Sequence, residues 1–211
     1  MAKLNLEHRY PTLEAIDPAM EAAQERSMRP YLGMSAIGFP CHRRLWLDLR
    51  FTAQPFFKAA TLRKFEDGFF SEDVMAKRLK LVAGVTLLTT NEVTGKQIGF
   101  TDVNGHVRGH VDGMIIGLLE APNTWHVWEH KSVDDASKNK LERLVNECEE
   151  TALQNWNPQY YDQAVYYMRS SKTKRHFLTV SSAGCRTAIS VRTHHNPEHG
   201  RDLHTKAQRN G

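Results

Sequence analysis

The sequence predicts an α/β layered domain built on a mixed β-sheet, and three observations carry that expectation. A long helical pattern at 58–80 precedes the main strand signals. Short β-branched and apolar runs crowd the interval 85–131. Two helical patterns and two late strand-like runs follow. The order helix, strand meander, helices, strands departs from the regular alternation of a doubly wound sheet.

The chain has 211 residues, enough for one domain with a sizeable core. Hydrophobic residues make up 40% and charged residues 25%, the balance of an ordinary globular protein. No apolar run approaches the ~18 residues that span a bilayer, so no membrane contact is expected. The first ten residues are polar and mixed in charge, unlike a signal peptide, which predicts a cytoplasmic protein. Cys41, Cys148 and Cys185 are odd in number and far apart, so they form no disulfide framework. The net charge of +4 is compatible with a phosphate-backbone partner but is weak alone. The basic residues cluster at Arg43-Arg44, Arg63-Lys64, Lys77-Arg78 with Lys80, and Lys172-x-Lys174-Arg175. Singly, each such cluster reads as a solvated face.

Residues 1–30 read as an N-terminal arm with a short helix at 18–26. Ser35 can cap a short helix carrying Ile37, Leu45, Trp46 and Leu49, bent or restarted by Pro40. Within 58–80, Phe65, Phe69, Glu72, Ala76 and Leu79 step by 4, 3, 4 and 3, the spacing of a core-facing stripe. The run 85–90 is β-branched and reads as a strand. Segments 97–103 and 106–116 flank Asn104-Gly105, the strongest short hairpin signal. Another strand, 125–131, follows the loop 117–124. Helices are expected at 137–154 and 157–170, and late strands at 176–180 and 188–192. A closing helix fits 197–208, although Pro197 and Gly200 weaken it. His194, His195, His199 and His204 crowd that end and read as a solvated tail rather than a zinc site. The four tryptophans, Trp46, Trp125, Trp128 and Trp156, read as core more readily than as stacking platforms.

The chemistry begins at Trp125-His-Val-Trp-Glu-His-Lys131. Side chains alternate along a strand, so Glu129 and Lys131 project to one side, amid apolar neighbours. Buried charges need partners or a metal. Asp112 sits in the preceding strand, just before Met114-Ile-Ile116. If the two strands form a hairpin centred between Glu120 and Ala121, Asp112 lies opposite Glu129, with Cβ atoms ~5 Å apart. Facing carboxylates repel unless a cation lies between them, and a hard divalent ion such as Mg²⁺ suits their oxygens. Glu72 interrupts the apolar stripe of the long helix. Alone it would snorkel to water; beside Asp112 and Glu129 it reads as a third ligand. Tyr160, Gln163 and Tyr167 share one helical face by their spacing.

Gly68-Phe-Phe-Ser-Glu72, Gly109-His-Val-Asp112-Gly113, Glu129-His-Lys131 and Gln163-Ala-Val-Tyr-Tyr167 together resemble the PD-(D/E)XK nuclease superfamily. More narrowly, they resemble its RecB-like exonuclease branch, which includes CRISPR-adaptation and phage recombination nucleases. Ser35-Ala-Ile-Gly-Phe-Pro-Cys41-His-Arg-Arg44 adds further similarity. The resemblance implies a restriction-endonuclease-like core, a central mixed β-sheet flanked by helices, with 58–170 as the catalytic core of a single domain, 1–211. It implies that Glu72, Asp112 and Glu129 ligate Mg²⁺ or Mn²⁺ with the backbone carbonyl of His130. Lys131 would orient or activate the attacking water, and Gln163 and Tyr167 would lie by the active site and touch DNA. The implied activity is a metal-dependent deoxyribonuclease, an exonuclease of recombination, repair or phage replication. DNA is the implied partner, with room for a recombination or single-strand-binding protein. The rival is a non-catalytic nucleic-acid-binding protein that kept the fold. Two positions depart from the branch. Phe69 stands where many members carry His. Cys41 matches the first cysteine of cluster-holding members, but no cysteine follows Cys185, so no iron–sulfur cluster is expected.

Overall fold

The structure, a computed structural model, describes residues 10–24, 29–50 and 55–210. Helices α1 (Pro11–Glu14) and α2 (Ile16–Ala23) open it. The arm helix thus starts before 18. Pro18 lies inside the first turn of α2, where its missing N–H breaks no helical bond. Residues 25 and 26 of the expected helix lie outside the described residues. Strand β1 (Leu32–Gly33) leads into a 3₁₀ turn, Met34–Ala36, that contains Ser35. Ser35 therefore caps nothing, and helix α3 (His42–Leu49) begins only after Pro40.

The long helix α4 (Ala59–Leu79) forms as expected, with Lys77 and Arg78 in its last turn complementing the helix dipole. Its buried face differs from the predicted stripe. Ser71, Met75 and Ala76 are buried, whereas Phe65 and Phe69 are 44% and 74% exposed. The face that packs on the sheet runs through Ser71, Met75 and Ala76, so Phe65 and Phe69 turn to solvent, where Phe65 meets the Phe57 ring edge-on at 5.0 Å.

Strands β3 (Gly99–Asp102) and β4 (Val107–His110) form a hairpin around Asn104-Gly105. Its turn is longer than two residues, because Val103, Asn104 and Gly105 all take positive φ. The predicted strand 106–116 is in fact two. It breaks at Val111-Asp112, and β5 (Gly113–Ile116) joins a different sheet. Close packing on both flanks fixes the crossing. A Cβ on Gly109 would stand 2.7 Å from the Met34 Cβ and the Tyr167 hydroxyl, and one on Gly113 2.8 Å from the Leu88 carbonyl oxygen.

Among the described residues, β1, β4 and β3 make a three-stranded sheet. The main sheet has the order β2 (Thr86–Leu88), β5, β6 (His126–Val133), β7 (Arg175–Ser182), β8 (Ala188–His194). Only the β6–β7 pair in it is parallel. A parallel pair needs a crossover, and α5 (Asp135–Trp156) with α6 (Pro158–Ser171) provides it. Asp134 caps α5 by accepting the Ser137 N–H, and Asn157 caps α6 by accepting those of Gln159 and Tyr160. The core lies on both faces of this sheet. Val127, Leu178 and Val180 pack with Leu141, Leu153 and Met168 of the crossover helices; Trp128, Phe177 and Ile115 pack with Met75 and Ala76 of α4.

The C-terminal residues form helix α7 (Pro197–Asn210), not a solvated tail. Leu203 and Ala207 bury it, His199 Nε2 bonds Asp162 Oδ1 at 2.5 Å, and His204 Nδ1 bonds Asp102 Oδ2 at 3.0 Å. Trp128 and Trp156 are core, but Trp46 and Trp125 are 44% and 39% exposed. No helix among the described residues is long and apolar enough to cross a membrane.

Candidate active site

The site is assembled on β6, whose side chains alternate between the two layers. Trp128 faces α4, while Val127 faces the crossover helices, and Glu129 and Lys131 follow Val127. The β5–β6 register pairs Gly113 with Trp128. Continued by one residue it sets Asp112 opposite Glu129, the register that the loop midpoint predicted. The regular ladder ends there, and the Asp112 carboxylate takes over as acceptor. Its Oδ2 receives the His130 N–H at 2.7 Å.

Glu129 is 3% exposed. Its Oε2 accepts from Lys131 Nζ at 2.9 Å and from Gln163 Nε2 at 3.1 Å, while its Oε1 is buried with no partner. Burial, then the nearby Asp112 charge, pushes Glu129 up to about 8, against the opposing pull of Lys131. Asp112 is raised by burial. Glu72, half-buried on α4, is pushed to about 7 by burial and then by Asp112. The Lys131 ammonium would lose its proton more easily through burial, but Glu129 and Asp112 together hold it above its ordinary value. Lys131 Nζ also lies 5.6 Å from the centre of the Tyr160 ring.

The His130 ring turns away from the carboxylates. Its Nδ1 lies 2.9 Å from Thr179 Oγ1 and its Nε2 3.1 Å from Ser181 Oγ, and burial lowers it to about 4, so it is neutral near pH 7. Paired strand residues exchange both N–H and C=O bonds along one edge. The His130 carbonyl therefore leaves β6 on the edge where its N–H meets Asp112.

Gln163 and Tyr167 do not lie on an exposed helical face. They are 7% and 2% exposed. Helix α6 is wrapped by the sheet, α5 and α7, so its polar positions face other protein groups. Gln163 holds the Glu129 carboxylate. The Tyr167 hydroxyl donates to the His110 carbonyl at 2.8 Å and pins the end of β4 beside the Asp112 crossing. The sequence reading missed Asp67. From α4 it accepts the Ser132 hydroxyl and, at 2.9 Å, the Gly184 N–H, tying α4 to the end of β6. No sequence pattern marks it, since its partners lie 65 and 117 residues away.

Asp112, Glu129, Lys131 and Gln163 thus meet at one point, and Glu72 stands within electrostatic reach. Among the described residues no three His, Cys, Asp or Glu side chains form a ready-made metal cage. The donors nonetheless fit Mg²⁺ or Mn²⁺. Glu129 offers a buried oxygen without a partner, the carboxylates are crowded enough to hold protons, and Mg²⁺ commonly takes one or two carboxylates and keeps waters.

No family model matches the sequence, and no curated protein matches it either. Solved structures do resemble the fold. An alkaline exonuclease from Laribacter hongkongensis superposes with a TM-score of 0.60 at 10% identity, over 92% of this chain and 90% of that one. The same enzyme in complex with dAMP gives 0.56 at 11% identity, over 85% of each chain. A phage related exonuclease from Haemophilus somnus gives 0.57 at 10% identity, over 85% of this chain and 92% of that one. The chain therefore has the mixed α/β fold of these exonucleases, with a mixed sheet flanked by helices.

Proposed function

We propose that this chain is a divalent-metal-dependent deoxyribonuclease that degrades DNA from an end. The observation that carries the reading is the meeting of Asp112, Glu129 and Lys131 at the β5–β6 junction, in a fold shared with exonucleases. Asp112, Glu129 and the His130 carbonyl would hold Mg²⁺ or Mn²⁺, with Glu72 beside them. Such an ion supplies a nucleophilic water near neutral pH and neutralises charge on the phosphate. Lys131 adds a fixed positive charge where negative charge develops on the phosphoryl oxygens. An ammonium has no free lone pair, so Lys131 stays outside the metal shell. The Gln163 amide fixes the Glu129 carboxylate, and the buried, neutral His130 ring fixes the strand. The motif order from Glu72 through Asp112 and Glu129-x-Lys131 to Gln163 and Tyr167 favours the RecB-like branch, with 58–170 as catalytic core.

The test compares end-labelled linear DNA with closed circular DNA of the same sequence, in Mg²⁺ and in Mn²⁺. The proposal expects mononucleotide or short products from linear DNA and an intact circle. Cutting of the circle would reassign the activity to an endonuclease. Binding without cleavage in either metal would leave only a nucleic-acid-binding protein.

A further inference from the structure

A second basic feature lies at the far end of the main sheet. Strand β7 begins with Arg175 and β8 ends with His194, and the two residues pair across the antiparallel ladder. Directly paired side chains stand on one face with Cβ atoms ~5 Å apart. Lys174 extends the group, its carbonyl accepting the His195 N–H at 3.1 Å. Lys174, Arg175, His194, His195 and Pro197 line an open cavity of about 400 Å³. Exposed Lys172 lies two residues away.

Four basic side chains line this one cavity. Some cations elsewhere pair with carboxylates, as Arg44 does with Asp48, Arg169 with Asp102 and Arg192 with Glu149, and others bond backbone carbonyls, as Arg78, Arg108 and Lys206 do. Among the described residues no carboxylate lies within ion-pair distance of Lys174 or Arg175. Glu198, the acidic residue in the first turn of α7, is exposed. The aliphatic stems of Lys174 and Arg175 and the Pro197 ring give the cavity apolar surface beside its charges. That combination, and a volume in the range of small-ligand sites, suits a nucleotide unit better than a bare anion. Arg175 lies three residues before Leu178, which pairs with Glu129. At ~3.3 Å per residue this is ~10 Å along the sheet, with the Arg175 side chain on the opposite face from Glu129.

We infer that this cavity binds the phosphate of a nucleotide outside the catalytic centre; resting on the nuclease reading, that phosphate belongs to the DNA strand being degraded. The alternative source of the same chemistry is a free mononucleotide. The experiment measures binding of a fluorescein-labelled single-stranded oligonucleotide, of dAMP and of inorganic phosphate across a salt series without divalent ion. It compares wild type, Lys174→Ala/Arg175→Ala and the charge-keeping Lys174→Arg. The double variant is expected to bind the oligonucleotide about fivefold or more weakly, with a logarithmic salt dependence shallower by roughly 0.7 for each lost phosphate contact. Lys174→Arg keeps wild-type binding. Loss of oligonucleotide affinity alone assigns the strand; parallel loss of dAMP affinity assigns the mononucleotide as well. If the double variant does not fold, Lys174→Glu, at an exposed position, takes its place. Unchanged affinity and salt dependence overturn the inference. A wild-type protein that neither binds nor cleaves DNA defeats the nuclease reading instead. The cavity then stands if dAMP binds wild type and not the variant, and falls if dAMP does not bind.

Discussion

Lys131 and Gln163 reach the same Glu129 oxygen but act differently, and substitution separates them. Lys131→Ala removes the charge proposed to face the phosphate and is expected to lower the cleavage rate by ~10²-fold, comparable to one preorganised donor, with DNA binding retained. Gln163→Ala only loosens a carboxylate. Outer-shell partners of this kind typically cost ~10–100-fold in metal affinity or activity, so its loss should be partly recovered by raising Mg²⁺. Single-turnover rates across a Mg²⁺ series test both. Full activity in Lys131→Ala removes the proposed role of the ammonium, and a Gln163→Ala deficit indifferent to Mg²⁺ removes the positioning role of the amide. Alternation along a strand made the shared side of Glu129 and Lys131 legible in the sequence, and the loop midpoint made the Asp112–Glu129 register legible. The burial of Gln163 and Tyr167 was not. Helical spacing reports which residues share a face, but not whether that face meets water or another layer.

The elements that matter most are those on either side of the Asp112 crossing. Periodicity revealed α4, β6, α5 and α6 almost to their ends, because each repeats a signal over many residues. The division of 106–116 between two sheets carries no such signal. It depends on Gly109 and Gly113, which let Met34, Tyr167 and Leu88 approach the backbone. The Phe65–Phe69 face of α4 was misread for a related reason: it has core spacing but lies off the face that Asp67, Ser71 and Met75 turn to the sheet. Gly113→Ala tests the crossing. The added methyl meets backbone at Leu88 as well as Leu87 and Trp128 side chains. It should cost roughly 1–3 kcal/mol, as overpacking does, and should shift β5 enough to reduce cleavage. Thermal melts and cleavage rates should fall together. A stable, fully active Gly113→Ala protein would show that the junction tolerates movement.

For the whole molecule, the carboxylate cluster predicts how metal-free stability depends on pH. The folded state holds Glu129 near 8 and Glu72 near 7, above the ordinary 4.5. A raised carboxylate contributes stability below its unfolded value and loses it as pH rises through the folded one. Buried His130 and His176, lowered to about 4 and about 3, work oppositely: their contribution is present above 6.5 and lost on acidification. The two effects oppose each other below pH 6.5, so the carboxylates show most clearly above pH 7. Without divalent ion the melting temperature should drop between pH 7 and 8.5. Mg²⁺ should flatten that drop by favouring the ionised carboxylates, and a drop unaffected by Mg²⁺ would sever the link between cluster and metal. The most direct test of the account is degradation of end-labelled linear DNA by wild type and Asp112→Asn in Mg²⁺, with folding of both verified by circular dichroism. The account predicts processing by the wild type and none by a well-folded Asp112→Asn protein; equal degradation by the two would contradict it.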